Sequence, residues 1–384
     1  MTSRRALYGI SLWAGLALLM LAGVAVMPSR QSVSVVVPKG SAAREAWLAL
    51  EEARYTDAES AFSRALAATP DDPALLVGAA IVARRLGQTA RAKDVLARAL
   101  QIDPALAPAS QLLGTLLYEG GDVEGAIRVY EAALVRAPGH EAMQARVEGW
   151  RKELALHSGF LTATGGHFAV LFEGPAEQEI AGTAIDVLEQ AYTRIGDYLQ
   201  TFPADTLTVV LYTDEQFRDI TRTPAWSGGV FDGRIRLPVR GGLGDRKELE
   251  RVLTHEYVHA LIYGLGAVRM PVWLNEGLAT ALEPGGLERA KDALSNARSL
   301  IPLAELRTSF AALPAERVQL AYAESAMAAQ DILDRVGPAH VVGLLRDLAS
   351  GSNLDVAFPA WVQSSIADFE RDWMARARAS GREP

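Results

Sequence analysis

The chain has 384 residues, 49% of them hydrophobic, a formal net charge of -8 and no cysteine. That length and apolar content allow two folded domains and exclude wholesale disorder. The missing cysteine excludes disulfides, thiol catalysis and thiolate metal sites, and an acidic balance without a basic cluster argues against nucleic acid as a partner. At the amino end, Arg4 and Arg5 precede Ala6 to Met27, 22 residues without a charge and rich in Leu, Ala, Gly, Val and Met. Such a run is long enough for a helix across the bilayer core. Val24-Ala25-Val26-Met27-Pro28 makes a poor signal cleavage site, so residues 1–30 read as an uncleaved signal anchor in preference to a secretory signal that is removed. The two arginines favour a cytoplasmic amino terminus. In a bacterial cell the chain would cross the inner membrane once and place its domains in the periplasm; release there after cleavage is the alternative. Residues 31–40 are a Ser/Val/Pro linker.

An internal repeat follows. Pro70, Pro104 and Pro138 recur at a spacing of 34, and in the same register come Ala58, Ala92 and Ala126, then Phe62, Leu96 and Tyr130, then Ala65, Ala99 and Ala133. Small residues let paired helices approach, a larger apolar residue fills the groove beside them, and the proline ends the second helix of each unit. The pattern resembles the tetratricopeptide repeat, with Gly114 at the helix-A glycine of the third unit and Ala80 and Ala46 in its place in the other two. Residues 41–157 are thus expected to form three repeats, with Glu141 to Leu156 as a capping helix. Such an array holds an extended segment of another protein in its groove or docks against its own neighbouring domain, and the sequence leaves both open.

The next region, residues 160–374, reads as mixed α and β. His167 to Phe172 is a short apolar strand, Ala176 to Gln200 a helix, Leu207 to Tyr212 a buried strand and Gly228 to Pro238 a glycine-punctuated edge strand. Apolar Leu249, Val252, Leu253, Val258, Leu261 and Ile262 then mark a half-buried helix from Glu248 to Tyr263, and this helix carries His255-Glu256-Tyr257-Val258-His259. Histidines four apart on a helix share one face, about 6 Å between Cβ atoms, and can grip one metal ion. Glu256 points partly off that face, free to take a proton from a water at the site. After Gly264, Gly266 and Pro271 a second helix begins with Trp273-Leu274-Asn275-Glu276-Gly277, and Glu276 is the third ligand. Two histidines and one glutamate leave the fourth position of a tetrahedral Zn2+ open, as a catalytic zinc requires. The last residues, 375–384, are small and charged and read as a frayed tail.

These two motif segments resemble the gluzincin branch of zinc metallopeptidases, and especially the peptidase-MA-like domains of bacterial envelope proteins. The resemblance implies one zinc per chain held by His255, His259 and Glu276, with Glu256 as general base. It also implies an edge strand along the cleft, where Gly229, Val230 and Phe231 would bind an extended peptide, and an oxyanion donor from the region of Tyr322; the residues themselves read equally well as glycines that only serve turns and a packed tyrosine whose hydroxyl reaches the surface. His340, Tyr263 and His167 read as structural, and His140 and His157 lie outside the domain. No Gly-x-Met-x-Asn segment is present to hold a substrate amino terminus, which disfavours exopeptidase activity. Thermolysin-like relatives place an Asp four residues beyond the glutamate ligand; here that position is Thr280.

The expected architecture is therefore multidomain: one amino-terminal transmembrane helix, an all-α tetratricopeptide solenoid, then an α+β zincin-like metallopeptidase domain. The expected function is cleavage of envelope proteins recruited through the repeats. A catalytically inactive scaffold or chaperone, and a zinc amidase acting on a non-protein envelope polymer, are the alternatives.

Overall fold

The computed structural model describes residues 41–52, 54–203, 205–221, 228–239, 246–266, 270–297, 299–310 and 313–380. The expected membrane segment and linker lie outside the described residues, and among those no helix is long and apolar enough to cross a membrane.

The first unit is helical: α1 (Ser41–Glu51), α2 (Tyr55–Ala68), α3 (Pro73–Arg85), α4 (Thr89–Ile102), α5 (Ala107–Glu119), α6 (Val123–Arg136) and α7 (Glu141–His157). Helices pack as successive pairs because Ala58, Ala92 and Ala126, all fully buried, let the backbones close up. The Tyr130 ring occupies the space that a Cβ at Gly114 would need, and the Phe62 ring does the same at Gly78. Helix starts are set locally. Asp72 accepts hydrogen bonds from the Ala74 and Leu75 amides ahead of Pro73, and Asp122 accepts one from Gly125. The 34-residue period is thus a stack of three helix pairs, with α7 as the cap.

The second unit begins with β1 (Leu161–Thr164), β2 (Phe168–Phe172), α8 (Gln178–Leu199), β3 (Leu207–Tyr212), α9 (Asp214–Thr221), β4 (Val230–Phe231) and β5 (Ile235–Pro238). Seven further α-helices are described after the sheet: α10 (Arg246–Gly264), α11 (Val272–Leu282), α12 (Gly286–Ser295), α13 (Ala315–Val336), α14 (Pro338–Ala349), α15 (Leu354–Val362) and α16 (Ile366–Ser380). The strands form one sheet in the order β1-β2-β3-β5-β4, in which β2, β3 and β5 run parallel and the two outer strands antiparallel. Helix α8 makes the crossover from β2 to β3 that a parallel pair demands. It packs with α10 against a core that includes Phe168, Leu188, Leu253, Tyr257 and Trp273.

Two expectations need correction, and one strand was not expected. The segment from Gly228 to Pro238 is a tight hairpin, turned at Gly233 with φ +101°, so β4 alone is the edge and β5 lies inside the sheet. The opposite edge, β1, has no buried face and so no apolar alternation to announce it. The tail is helical as far as Ser380, because α16 buries Trp373 and packs Ala377 against the core.

Candidate metal centre

Helix α10 is buried on every side from Val252 through Ile262, wedged among the sheet, α8 and α11. A polar side chain there must find a partner inside the protein. One turn apart on it, His255 and His259 stand with their ring centroids 4.7 Å apart. Helix α11 brings Glu276 between them: its Oε2 lies 3.4 Å from His255 Nε2 and 3.5 Å from His259 Nε2. All three residues are buried, and their ligand atoms lie within 4.8 Å of one another. A tetrahedral zinc with ligand bonds near 2.05 Å separates its ligands by about 3.4 Å. The donor set and its spacing therefore fit that ion.

Glu276 reaches this position because α11 lies directly on α13. A Cβ at Gly277 would overlap the Ser325 carbonyl oxygen, so only glycine allows the approach.

Around the three residues, charge is arranged in layers. His255 Nδ1 lies 2.8 Å from Glu283 Oε2, a contact that holds a ring proton on Nδ1 and directs Nε2 to the side where Glu276 lies. Arg289 and Arg251 hold Glu283 in turn, the latter at 3.5 Å. Burial pushes the Glu283 carboxyl up, but His255 and the two arginines outweigh it and hold the group below its ordinary range. The same contest lowers Glu276, where burial is overcome by the two imidazoles. Glu256 goes the other way: burial raises it, the histidines offset that only in part, and Glu276 and Glu283 add to the rise. A buried carboxylate with a raised pKa is a better proton acceptor than an exposed one.

The remaining candidates divide. Gly229 lies against Glu256, since a Cβ there would come 3.0 Å from Glu256 Oε1, and Val230 and Phe231 continue from it as β4. Tyr322 on α13 faces the same carboxylates: burial raises its hydroxyl, and Glu276, Glu256 and Glu283 raise it further. The structure thus brings Glu256, Tyr322 and Gly229 to the three clustered residues. The other histidines and Tyr263 have partners elsewhere. His340 packs on Trp361, His167 on Tyr192 and Glu189, His140 caps α7, His157 bonds Tyr212, and the Tyr263 hydroxyl donates to Glu119. Glu283 was missed by sequence reasoning, which looked for an orienting carboxylate at Thr280; the Thr280 hydroxyl is buried without a partner.

Residues 190–379 match the family model of the Peptidase MA superfamily. The second unit is a Peptidase MA superfamily domain. In the structure this peptidase domain starts before the match, since β1, β2 and the first half of α8 belong to the same sheet and core. Residues 49–99 and 83–146 match the tetratricopeptide repeat, in agreement with the helix pairs of the first unit. No curated protein matches the chain.

Proposed function

We propose that the protein is a zinc-dependent endopeptidase, with one Zn2+ held by His255 Nε2, His259 Nε2 and a Glu276 carboxylate oxygen. The observation that carries this reading is the convergence of those three atoms beside the buried Glu256, whose carboxyl is raised by burial. Zinc bound there supplies a Lewis acid for a carbonyl oxygen and acidifies a water to about pKa 7. Glu256 takes the proton of the attacking water and returns it to the leaving amine. The Tyr322 hydroxyl donates to the oxyanion that forms at the scissile carbonyl. An extended substrate pairs with the open side of β4 at Gly229, Val230 and Phe231. The repeats make the chain's protein contacts, and residues 6–27 anchor it in the bacterial inner membrane with both domains in the periplasm.

The test is elemental analysis and proteolysis with the full-length chain, purified without a histidine tag. Expected are near one zinc per chain, its loss in Glu276→Ala, and cleavage of an unfolded protein substrate that stops in Glu256→Gln. Absence of zinc uptake by the folded chain, or a Glu256→Gln variant as active as wild type, overturns the reading.

A further inference from the structure

The repeat unit and the peptidase domain meet at a buried cluster of charges that the proposed chemistry does not use. Glu153 of α7, 2% exposed, accepts from Arg234 Nη1 at 3.0 Å and from Arg236 Nη1 at 2.9 Å, and its other oxygen accepts from the Tyr118 hydroxyl at 2.6 Å. Arg236 is fully buried and also donates to Asp232 at 2.9 Å and to the Tyr212 hydroxyl at 2.7 Å. Two carboxylates thus balance two guanidinium groups, one carboxylate coming from the repeats. Both arginines belong to the β4–β5 hairpin. A second grip lies alongside: Glu119 at the end of α5 accepts from the Tyr263 hydroxyl at 2.8 Å and from Arg84 at 2.8 Å, and its backbone presses on Gly233 at the hairpin turn.

The hairpin needs such support. Its ladder consists of two residue pairs, Val230 with Arg236 and Phe231 with Ile235, and a hairpin that short has little stability or register of its own. Yet it carries Gly229 against Glu256. A continuous path of contacts therefore runs from Glu153 to Arg236, across the ladder to Val230, and from the adjoining Gly229 to Glu256.

We propose that the repeat array is a built-in clamp on the substrate edge of the peptidase domain, with Glu153 as a positioning residue that fixes β4 relative to Glu256. The clamp itself stands on geometry; its effect on substrate rests on the peptidase reading above. The two units, joined by residues 158–160 between α7 and β1, are held in register by paired buried charges, a use of such groups that has precedent.

The experiment compares full-length wild type with Glu153→Gln by amide hydrogen exchange, zinc content and peptide-cleavage kinetics. Exchange in residues 228–239 is expected to rise about tenfold or more, as for a locally released segment, while α11 and zinc content stay as in wild type. KM for an extended peptide is expected to rise by about fivefold or more with kcat changed by less than about twofold, the pattern of lost binding. Unchanged exchange in 228–239 overturns the clamp, and so does a rise spread evenly over the peptidase domain. Localised release with no cleavage by wild type supports the clamp and overturns the peptidase reading instead. Should Glu153→Gln fail to fold, Tyr118→Phe keeps all four charges and must give the same localised change, smaller in size; if it gives none, the clamp is wrong.

Discussion

Glu283→Gln tests the least anticipated feature of the proposed metal centre. Glutamine matches the volume of glutamate and keeps an oxygen that can accept from His255 Nδ1, so the 2.8 Å contact can survive while its charge is lost. The two arginines are not stranded by the change, because Arg251 retains Glu248 at 2.8 Å and Arg289 retains the Pro284 carbonyl at 3.1 Å. The main loss therefore falls on His255. Removing a carboxylate that orients a ligating histidine costs 10- to 100-fold in metal affinity, or about 1.4–2.7 kcal/mol. Competition with a chromophoric chelator measures the affinity, and thermal melting of the zinc-free protein separates it from a loss of fold. Thr280→Val is the control, since the Thr280 hydroxyl has no partner to lose. An affinity for Glu283→Gln within about twofold of wild type, or a larger loss in Thr280→Val, would refute the assignment of Glu283 as the orienting group.

Other outcomes follow from the same structure. Glu256→Gln should keep zinc, measured by elemental analysis, and lose turnover by about 100-fold or more, because it removes the proposed general base and none of the proposed ligands. Gly277→Ala should destabilise the chain by about 1–3 kcal/mol in urea unfolding and lower zinc occupancy, because its Cβ needs space held by the Ser325 carbonyl. His157 is lowered to about 4, first by burial and then by Arg236 and Arg234 against the pull of Glu153. Its unfolded value is near 6.5, so the unfolded chain binds the extra proton between those values, and up to about 3 kcal/mol of stability is lost as pH falls from 6.5 to 4. Urea midpoints at pH 7.5 and 4.5 should differ less in His157→Gln than in wild type. Glu324 is raised to about 8, chiefly by burial, against the pull of the Ile301 amide. Here the folded state binds the extra proton, so this contribution is present below the unfolded value and is lost as pH rises through 8. Glu324→Gln should therefore raise the melting temperature at pH 9 relative to wild type more than it does at pH 6.

What could be read in the sequence depended on how local its cause was. The repeats were legible because one packing rule, small residue against large with a proline stop, is written three times at the same period. His255, His259 and Glu256 were legible because helix geometry alone puts them together. Glu283 was not, since it sits at the end of α11 beyond the last helical turn, and its approach to His255 depends on how α11 crosses α10. The hairpin did leave a signal, Asp232-Gly233 between Val230-Phe231 and Ile235, which a reading of the glycines as punctuation of one edge strand passed over. Glu153 was hidden for another reason. In Glu148-Gly149-Trp150-Arg151-Lys152-Glu153 it reads as part of a solvated helix face, and only the docked hairpin turns it into a buried charge.

That last point bears on the two roles the sequence left open for the repeats. The ends of α3, α5 and α7 are committed within this chain: Arg84 and Glu119 to Tyr263, Tyr118 to Arg236, and Glu153 to both hairpin arginines. An arm that only recruits a partner would gain nothing from burying Arg236 completely, because desolvating an ion pair costs several kcal/mol per charge before the pairing returns it. The cost makes sense where relative position matters, and here the positioned element is the strand beside Glu256. Docking to the neighbouring domain is therefore the role to which these contacts belong. Any partner held elsewhere on the array would be presented from a platform already in register with the proposed metal centre.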